Sequence, residues 1–121
     1  METNLYDKTG RAKAYIADDG ETIYLWSGKA VAYIIDENVY GWKGKHIGWF
    51  VNGKLFDRRG KRIGFIPGNC PVATCAAPAK YAKHAKYAKS ARHAAYARVA
   101  LSTSNSEQEL EAFLSQNAPG I

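Results

Sequence analysis

No stretch of the chain is apolar over the about 20 residues that a membrane-spanning helix requires. Met1–Asn4 lead straight into a strand-like segment, without the apolar core of a secretory signal. Both absences make the cytoplasm the expected location. Cysteine is scarce, with only Cys70 and Cys75 in 121 residues. In a reducing compartment this C-P-V-A-T-C pair is expected as free thiols. His84 and His93 follow at no spacing used by zinc sites, so no metal is expected. The chain also lacks G-x-S-x-G, a phosphate-binding loop and H-E-x-x-H. Asp18, Asp19, Glu21, Asp36 and Glu37 fall at turn-like positions rather than as paired carboxylates. His46 stands alone and reads as a surface strand residue rather than a base. These absences point away from an enzyme, and no cofactor is expected.

Aromatics and charge are unevenly spread. All three Trp and all Phe but Phe113 precede residue 70, after which Ala, Lys and Ser dominate. The core is therefore expected to be small and dependent on close packing. The formal charge is +6, with +3 from residues 1–78 and +3 from residues 79–121. A pI near 9.4 permits an anionic partner without requiring one.

The dominant feature is an internal repeat. Four twelve-residue segments align without gaps: LYDKTGRAKAYI (5–16), IYLWSGKAVAYI (23–34), VYGWKGKHIGWF (39–50) and LFDRRGKRIGFI (55–66). The sixth column is always glycine (Gly10, Gly28, Gly44, Gly60), and a basic residue follows each. The second and eleventh columns are aromatic. The tenth is always small (Ala14, Ala32, Gly48, Gly64). Aromatic and β-branched residues on both sides of a turn glycine read as strand, turn, strand. The glycine suits a left-handed conformation that other residues adopt at a cost. Asp18-Asp19-Gly20, Asp36-Glu37-Asn38 and Asn52-Gly53 supply turns between copies. The expected fold is mainly β: four hairpins in an eight-strand meander about a pseudo-fourfold axis. The small column predicts close approach of equivalent strands around that axis.

This pattern resembles the 4-fold beta flower proteins. The resemblance covers about residues 4–69, through the four aromatic–turn–Gly–basic–small–aromatic copies and the ending Ile66-Pro67-Gly68-Asn69. It implies four hairpins about a pseudo-fourfold axis. No activity is established for that family, so the resemblance supplies no catalytic residue.

Residues 1–69 thus form the expected β domain and 70–78 a linker. In residues 79–104, alanine recurs at every third position from Ala79 to Ala100, and Lys80, Lys83, Lys86, Lys89 and Arg92 follow in step. A step of three walks around an α-helix and builds no apolar face, although Ala and Lys are good helix formers. The segment is expected to be either a marginal helix that a polyanion strengthens or a disordered, solvated spacer. Ser106-Glu107-Gln108-Glu109 reads as a capping box before the apolar stripe Leu110, Phe113, Leu114, predicting a short helix within 105–117.

Charge and tryptophan give the candidate binding residues. The glycine turns carry Lys43, Lys45, Arg58, Arg59, Lys61 and Arg62, whereas the opposite turns are acidic. Trp26 and Trp42 occupy a turn position that is basic in the other copies. They either stack on bases or sugars or pack on neighbouring hairpins. The functional expectation is a non-enzymatic binding or scaffold module, with the β domain as platform and the tail as arm. Its partner is a protein or a polyanion; the specific alternative is nucleic acid, held by the tail and the basic turns. An enzyme of unknown class is the remaining alternative.

Overall fold

The computed structural model describes residues 1–118. The eight strands are β1 (Thr3–Tyr6), β2 (Ala12–Ile16), β3 (Thr22–Leu25), β4 (Ala30–Ile35), β5 (Asn38–Gly41), β6 (His46–Val51), β7 (Lys54–Asp57) and β8 (Arg62–Phe65). They form an antiparallel meander that closes into a barrel, with Tyr6 of β1 opposite Phe65 of β8. The glycine turns lie at one end, here called proximal. Gly10, Gly28, Gly44 and Gly60 have φ of +87°, +96°, +95° and +82°, and each donates its N–H to the carbonyl three residues back. At the distal end, Asp36, Glu37, Asn52 and Gly53 have positive φ, as tight hairpin turns with the right-handed strand twist require.

Each repeat carries the same irregularity. The register shifts once in every glycine hairpin, between the first and second columns. These bulges admit an extra residue on the second strand, and in three copies it is apolar: Val31, Ile47 and Ile63 belong to the interior core. Leu5, Ile23, Val39 and Leu55 also point inward. The aromatic columns lie outside, paired between successive hairpins: Tyr15 stacks on Tyr24 and Tyr33 on Tyr40, both with ring centroids 5.6 Å apart.

The tail departs from both expectations. Residues 79–104 contain no helix; they are hydrogen-bonded around the proximal end of the barrel. The N–H groups of Cys75, His84, His93 and Ser102 donate to the carbonyls of Gly10, Gly28, Gly44 and Gly60 in turn. These donors are nine residues apart. Aligned at that period, the tail is PVATCAAPA (71–79), KYAKHAKYA (80–88), KSARHAAYA (89–97) and RVALSTSNS (98–106), one unit per hairpin. The three-residue step is a subdivision of this second fourfold repeat. Nine extended residues reach up to about 30 Å, enough to pass from one hairpin to the next. The division into β domain, linker and free tail therefore gives way to a barrel bound by a strap.

The strap gives the turn glycines a second constraint. A Cβ on Gly28 would fall inside 3 Å of the Ala82 carbonyl oxygen, and Gly10, Gly44 and Gly60 face Ala73, Ala91 and Ala100 in the same way. Gly28→Ala should cost about 1–3 kcal/mol in backbone strain. It should also release the strap locally, read as lost exchange protection at the His84 amide. Unchanged protection there would contradict this account of the close approach.

The C-terminal helix α1 (Leu110–Ser115) is shorter than expected and starts later. Glu109 is its N-cap, accepting from the Ala112 N–H at 2.9 Å. Ser106 does not cap it, because its hydroxyl donates to Asp57 Oδ2 at 2.7 Å. Leu110, Phe113 and Leu114 are buried in the barrel core. This corrects the reading of the small column. Gly48 serves both a close strand and the helix, since a Cβ there would fall inside 3 Å of the Phe56 carbonyl oxygen and 3.0 Å from Phe113 Cζ, whereas one on Gly64 would lie 3.2 Å from Leu110 Cδ1. The interior is plugged.

Candidate functional site

The proximal end gathers the basic turn residues. Arg11, Lys29, Lys43, Lys45, Arg59 and Lys61 have no ion-pair partner among the described residues. Their positions follow from the repeat, since each lies in or next to a glycine turn. Two basic turn residues are used internally. Lys8 Nζ donates to the Ser106 carbonyl at 2.9 Å, and the Arg58 guanidinium lies 3.6 Å from the Tyr96 ring centre. Arg62 lies beside Phe65 at 5.4 Å.

The tryptophans pack rather than project. Trp42 is 2% exposed, sits edge-on to Tyr33, and donates from Nε1 to the Tyr87 carbonyl at 2.7 Å. Trp26 is half-buried against Tyr15 and donates to the Ala12 carbonyl at 2.9 Å. Their carbonyls accept from Ser90 and Tyr81 of the strap. Both are thus strap anchors. Trp42→Ala should release the strap near residues 87–90 and lower stability by about 3–5 kcal/mol, measured by chemical denaturation; an unchanged midpoint would show that Trp42 is peripheral.

Tail cations cover the outer aromatic pairs. Lys80 lies 4.6 Å from the Tyr15 ring centre and Lys83 5.2 Å from that of Tyr24. Nine residues on, Lys89 lies 4.2 Å from Tyr33 and Arg92 5.5 Å from Tyr40. Acidic residues complete the clasp: Glu2 pairs with Lys80 and with Lys83, the latter at 2.7 Å, Glu21 meets Lys89 at 3.5 Å, and Glu37 meets Arg98 at 3.2 Å. Hydrogen bonds from the two lysines hold the Glu2 pKa down, and the Glu2 bond raises that of Lys83. Burial raises Tyr15 and Tyr33. Lys86 stays outside this clasp.

Asp57, at the β7–β8 turn, bolts the incoming chain. It is 2% exposed and accepts from the Ser106 hydroxyl, the Gln108 side chain and the N–H groups of Arg59 and Lys61. A cavity of about 380 Å³ lies beside it, walled by charges of both signs. Asp7 plays the turn role in the first hairpin. Burial opposes its ionisation, but bonds from Thr9 and from the Arg11 and Thr9 N–H groups outweigh that and lower its pKa.

His46 is not a surface residue. It is 1% exposed, lies face to face with Tyr96 at 5.8 Å, and its Nδ1 accepts from the Tyr96 N–H at 3.0 Å. Its buried Nε2 has no partner among the described residues. Burial, with Arg58 nearby, lowers its pKa below the usual histidine value despite an opposing backbone hydrogen bond. The unfolded chain therefore takes up this proton first as pH falls below about 6.5. Stability should decline between pH 7 and 5, and His46→Gln should remove part of that slope in thermal melts. A slope unchanged in the variant would rule His46 out.

Four equivalent grooves run between the strap and the second strand of each hairpin, at the column holding Ala12, Ala30, His46 and Arg62. The third is filled by the His46 ring, and in the fourth the strap pairs directly with the Arg62 backbone, whose N–H donates to the Ser104 carbonyl and whose carbonyl accepts from the Ser106 N–H. The two alanines leave cavities. One of about 330 Å³ is lined by Arg11, Ala12, Lys13, Cys75, Ala76 and Pro78. The other, of about 250 Å³, is lined by Lys29, Ala30, His84, Ala85, Lys86 and Tyr87. The only sequence signal for them was the interruption of an otherwise uniform repeat.

Among the described residues, no cluster of His, Cys, Asp and Glu is arranged to hold a metal ion, and Cys70 and Cys75 are free thiols. No described helix is long and apolar enough to cross a membrane. No curated protein and no solved structure matches the chain. The family model described as 4-fold beta flower protein matches residues 3–114, which takes in the hairpins, the strap and nearly all of the plug. With four bulged hairpins closed in a barrel and four strap units in step, the chain belongs to the 4-fold beta flower family.

Proposed function

We propose that the protein is a non-enzymatic binding module whose platform is barrel and strap together, and whose partner is a polyanion, in the first instance nucleic acid. The observation that carries this reading is the ring of proximal cations without ion-pair partners among the described residues: Arg11, Lys29, Lys43, Lys45, Arg59 and Lys61. The tail contributes differently from a free arm. Lys80, Lys83 and Lys89 are engaged with acids and aromatic rings, whereas Lys86, Tyr81 and Tyr87 remain available, the tyrosines being 71% and 62% exposed. Cations beside exposed aromatic faces suit single-stranded nucleic acid, which offers phosphates and unstacked bases together.

The test is a binding titration of the intact chain with a single-stranded oligonucleotide at several salt concentrations. Cutting at residue 78 is unsuitable, because it removes three of the four strap units and the plug together. Engagement of about four phosphates should give a slope of log affinity on log salt near about −3. The double variant Lys45→Glu/Arg59→Glu should weaken binding and flatten the slope. No binding at low salt, or binding indifferent to both charges, would sink the reading.

A further inference from the structure

We infer that the groove at Ala30 is a binding site for a planar nitrogen heterocycle bearing a phosphate, either a free nucleoside monophosphate or one nucleotide of a single strand. This names a ligand for the platform proposed above and rests on that reading. The argument comes from the fourfold repeat, which lets one unit show what another holds. In the third unit the His46 imidazole lies against Tyr96, with ring centroids 5.8 Å apart and planes within 26°. Its Nδ1 accepts from the Tyr96 N–H at 3.0 Å. That ring is a planar, nitrogen-containing acceptor supplied by the chain itself.

In the second unit the same positions are Ala30 and Tyr87. The alanine removes the built-in ring and leaves a cavity of about 250 Å³. Tyr87 lines the cavity and is 62% exposed, and its N–H has no acceptor among the described residues. Its peptide is nevertheless held in place, because the Tyr87 carbonyl accepts from Trp42 Nε1 at 2.7 Å. The donor is therefore positioned, and an aromatic ring stands beside it, without an occupant from the chain. Lys29 and Lys86 line the same cavity beside His84 and supply the charge for a phosphate.

The first unit acts as an internal control. Its groove is open at Ala12, but Pro78 replaces the tyrosine. Proline has neither an aromatic face nor an N–H. In the fourth unit the strap pairs with the Arg62 backbone, and Asn105 stands where the tyrosine would be. Only the second unit combines an open groove, an aromatic wall, an amide donor and cations.

The experiment is a titration of the intact protein with adenosine 5′-monophosphate, inorganic phosphate and a short oligoadenylate, followed at the Tyr87 amide by NMR. Saturable shifts with the monophosphate or the oligoadenylate, and none with inorganic phosphate, are expected; saturation by the oligoadenylate alone assigns the ring to a strand. Ala30→His should refill the groove as His46 does in the third unit and abolish the shift, while salt-dependent binding at the proximal cations persists. Tyr87→Ala, at an exposed position, should weaken ring binding by about 5- to 150-fold and serves as the test where Ala30→His does not fold. His46→Ala should open a second site and raise the stoichiometry from one to two. Phosphate alone reproducing the shift, or ring binding indifferent to both Ala30→His and Tyr87→Ala, overturns the site. Loss of oligonucleotide binding in Lys45→Glu/Arg59→Glu with the monophosphate site intact leaves the site standing and separates it from the wider basic surface.

Discussion

Phe113→Ala should lower the stability of the whole protein by about 3–5 kcal/mol, not merely loosen its C-terminus. A helix of six residues has no stability of its own in water. What holds α1 is burial: Leu110, Phe113 and Leu114 are 1%, 2% and 0% exposed, packed among Leu5, Val39, Leu55 and the bulge residues Val31, Ile47 and Ile63. Truncating the ring leaves a void that the hydrogen-bonded barrel wall can only partly close. For a small domain with about 5–15 kcal/mol in total, that is a large fraction. Urea denaturation should show one transition at a much lower midpoint, with tryptophan fluorescence and far-UV signal changing together. If the helix were an appendage, the barrel midpoint would stay where it is.

The hairpins were legible in the sequence because each depends on particular side chains. A turn glycine at positive φ, flanking aromatics and a small column are all visible as residue types. The strap was not, because its path is set by backbone hydrogen bonds and its lysines and arginines, read without the barrel, look like free charges. His84 and His93 donate main-chain N–H groups to Gly28 and Gly44, so their identities carry little of the contact. Alanine at every third position also hides a nine-residue period, since nine is a multiple of three. The C-terminal helix was foreseen but placed too early, because Ser106, a plausible cap by spacing, is captured by Asp57 from another hairpin. The gathering of basic residues at the glycine turns was legible, but not that Arg58 and Arg62 lie against Tyr96 and Phe65. The groove at Ala30 was not, since it needs the strap in place before it exists.

Where the repeat is broken, the rest of the chain answers. Asp7 and Asp57 accept the N–H of Arg11 and Lys61 through Oδ1, at 3.1 and 3.0 Å. The third hairpin has Gly41 at that column and no side chain to offer. Asn117, beyond α1, lies where a Gly41 side chain would be, and its Oδ1 accepts from the Lys45 N–H at 3.1 Å. A residue from the far end of the chain thus restores the missing acceptor. In the third hairpin, then, the departure from symmetry marks the position where another segment docks. The same logic leads from His46 to the open groove at Ala30.

The four small residues inside the barrel should not tolerate change equally. Ala14 and Ala32 already carry a Cβ and are fully buried. On Gly64 an added methyl would meet Leu110 Cδ1, Leu55 Cβ and Leu55 Cδ2 at 3.2, 3.2 and 3.3 Å. The two leucine Cδ atoms can shift by tenths of an ångström, the Leu55 Cβ moves only with its strand, and Gly→Ala also narrows the unfolded ensemble, worth about 0.4–1 kcal/mol. Gly64→Ala should therefore fall within about 1 kcal/mol of the parent. On Gly48 the methyl would land inside 3 Å of the Phe56 carbonyl oxygen and 3.0 Å from Phe113 Cζ. The first belongs to the neighbouring strand's backbone and the second to the core of the plug, so neither can yield without moving an element. Gly48→Ala should cost about 1–3 kcal/mol by overpacking, and Gly48→Leu should prevent folding. Denaturation midpoints of Gly48→Ala and Gly64→Ala, measured side by side, decide the matter. Equal midpoints would mean that neither the Phe56 carbonyl nor the plug confines Gly48, whereas a large gap means that this position is held small by the close approach of strand and helix together.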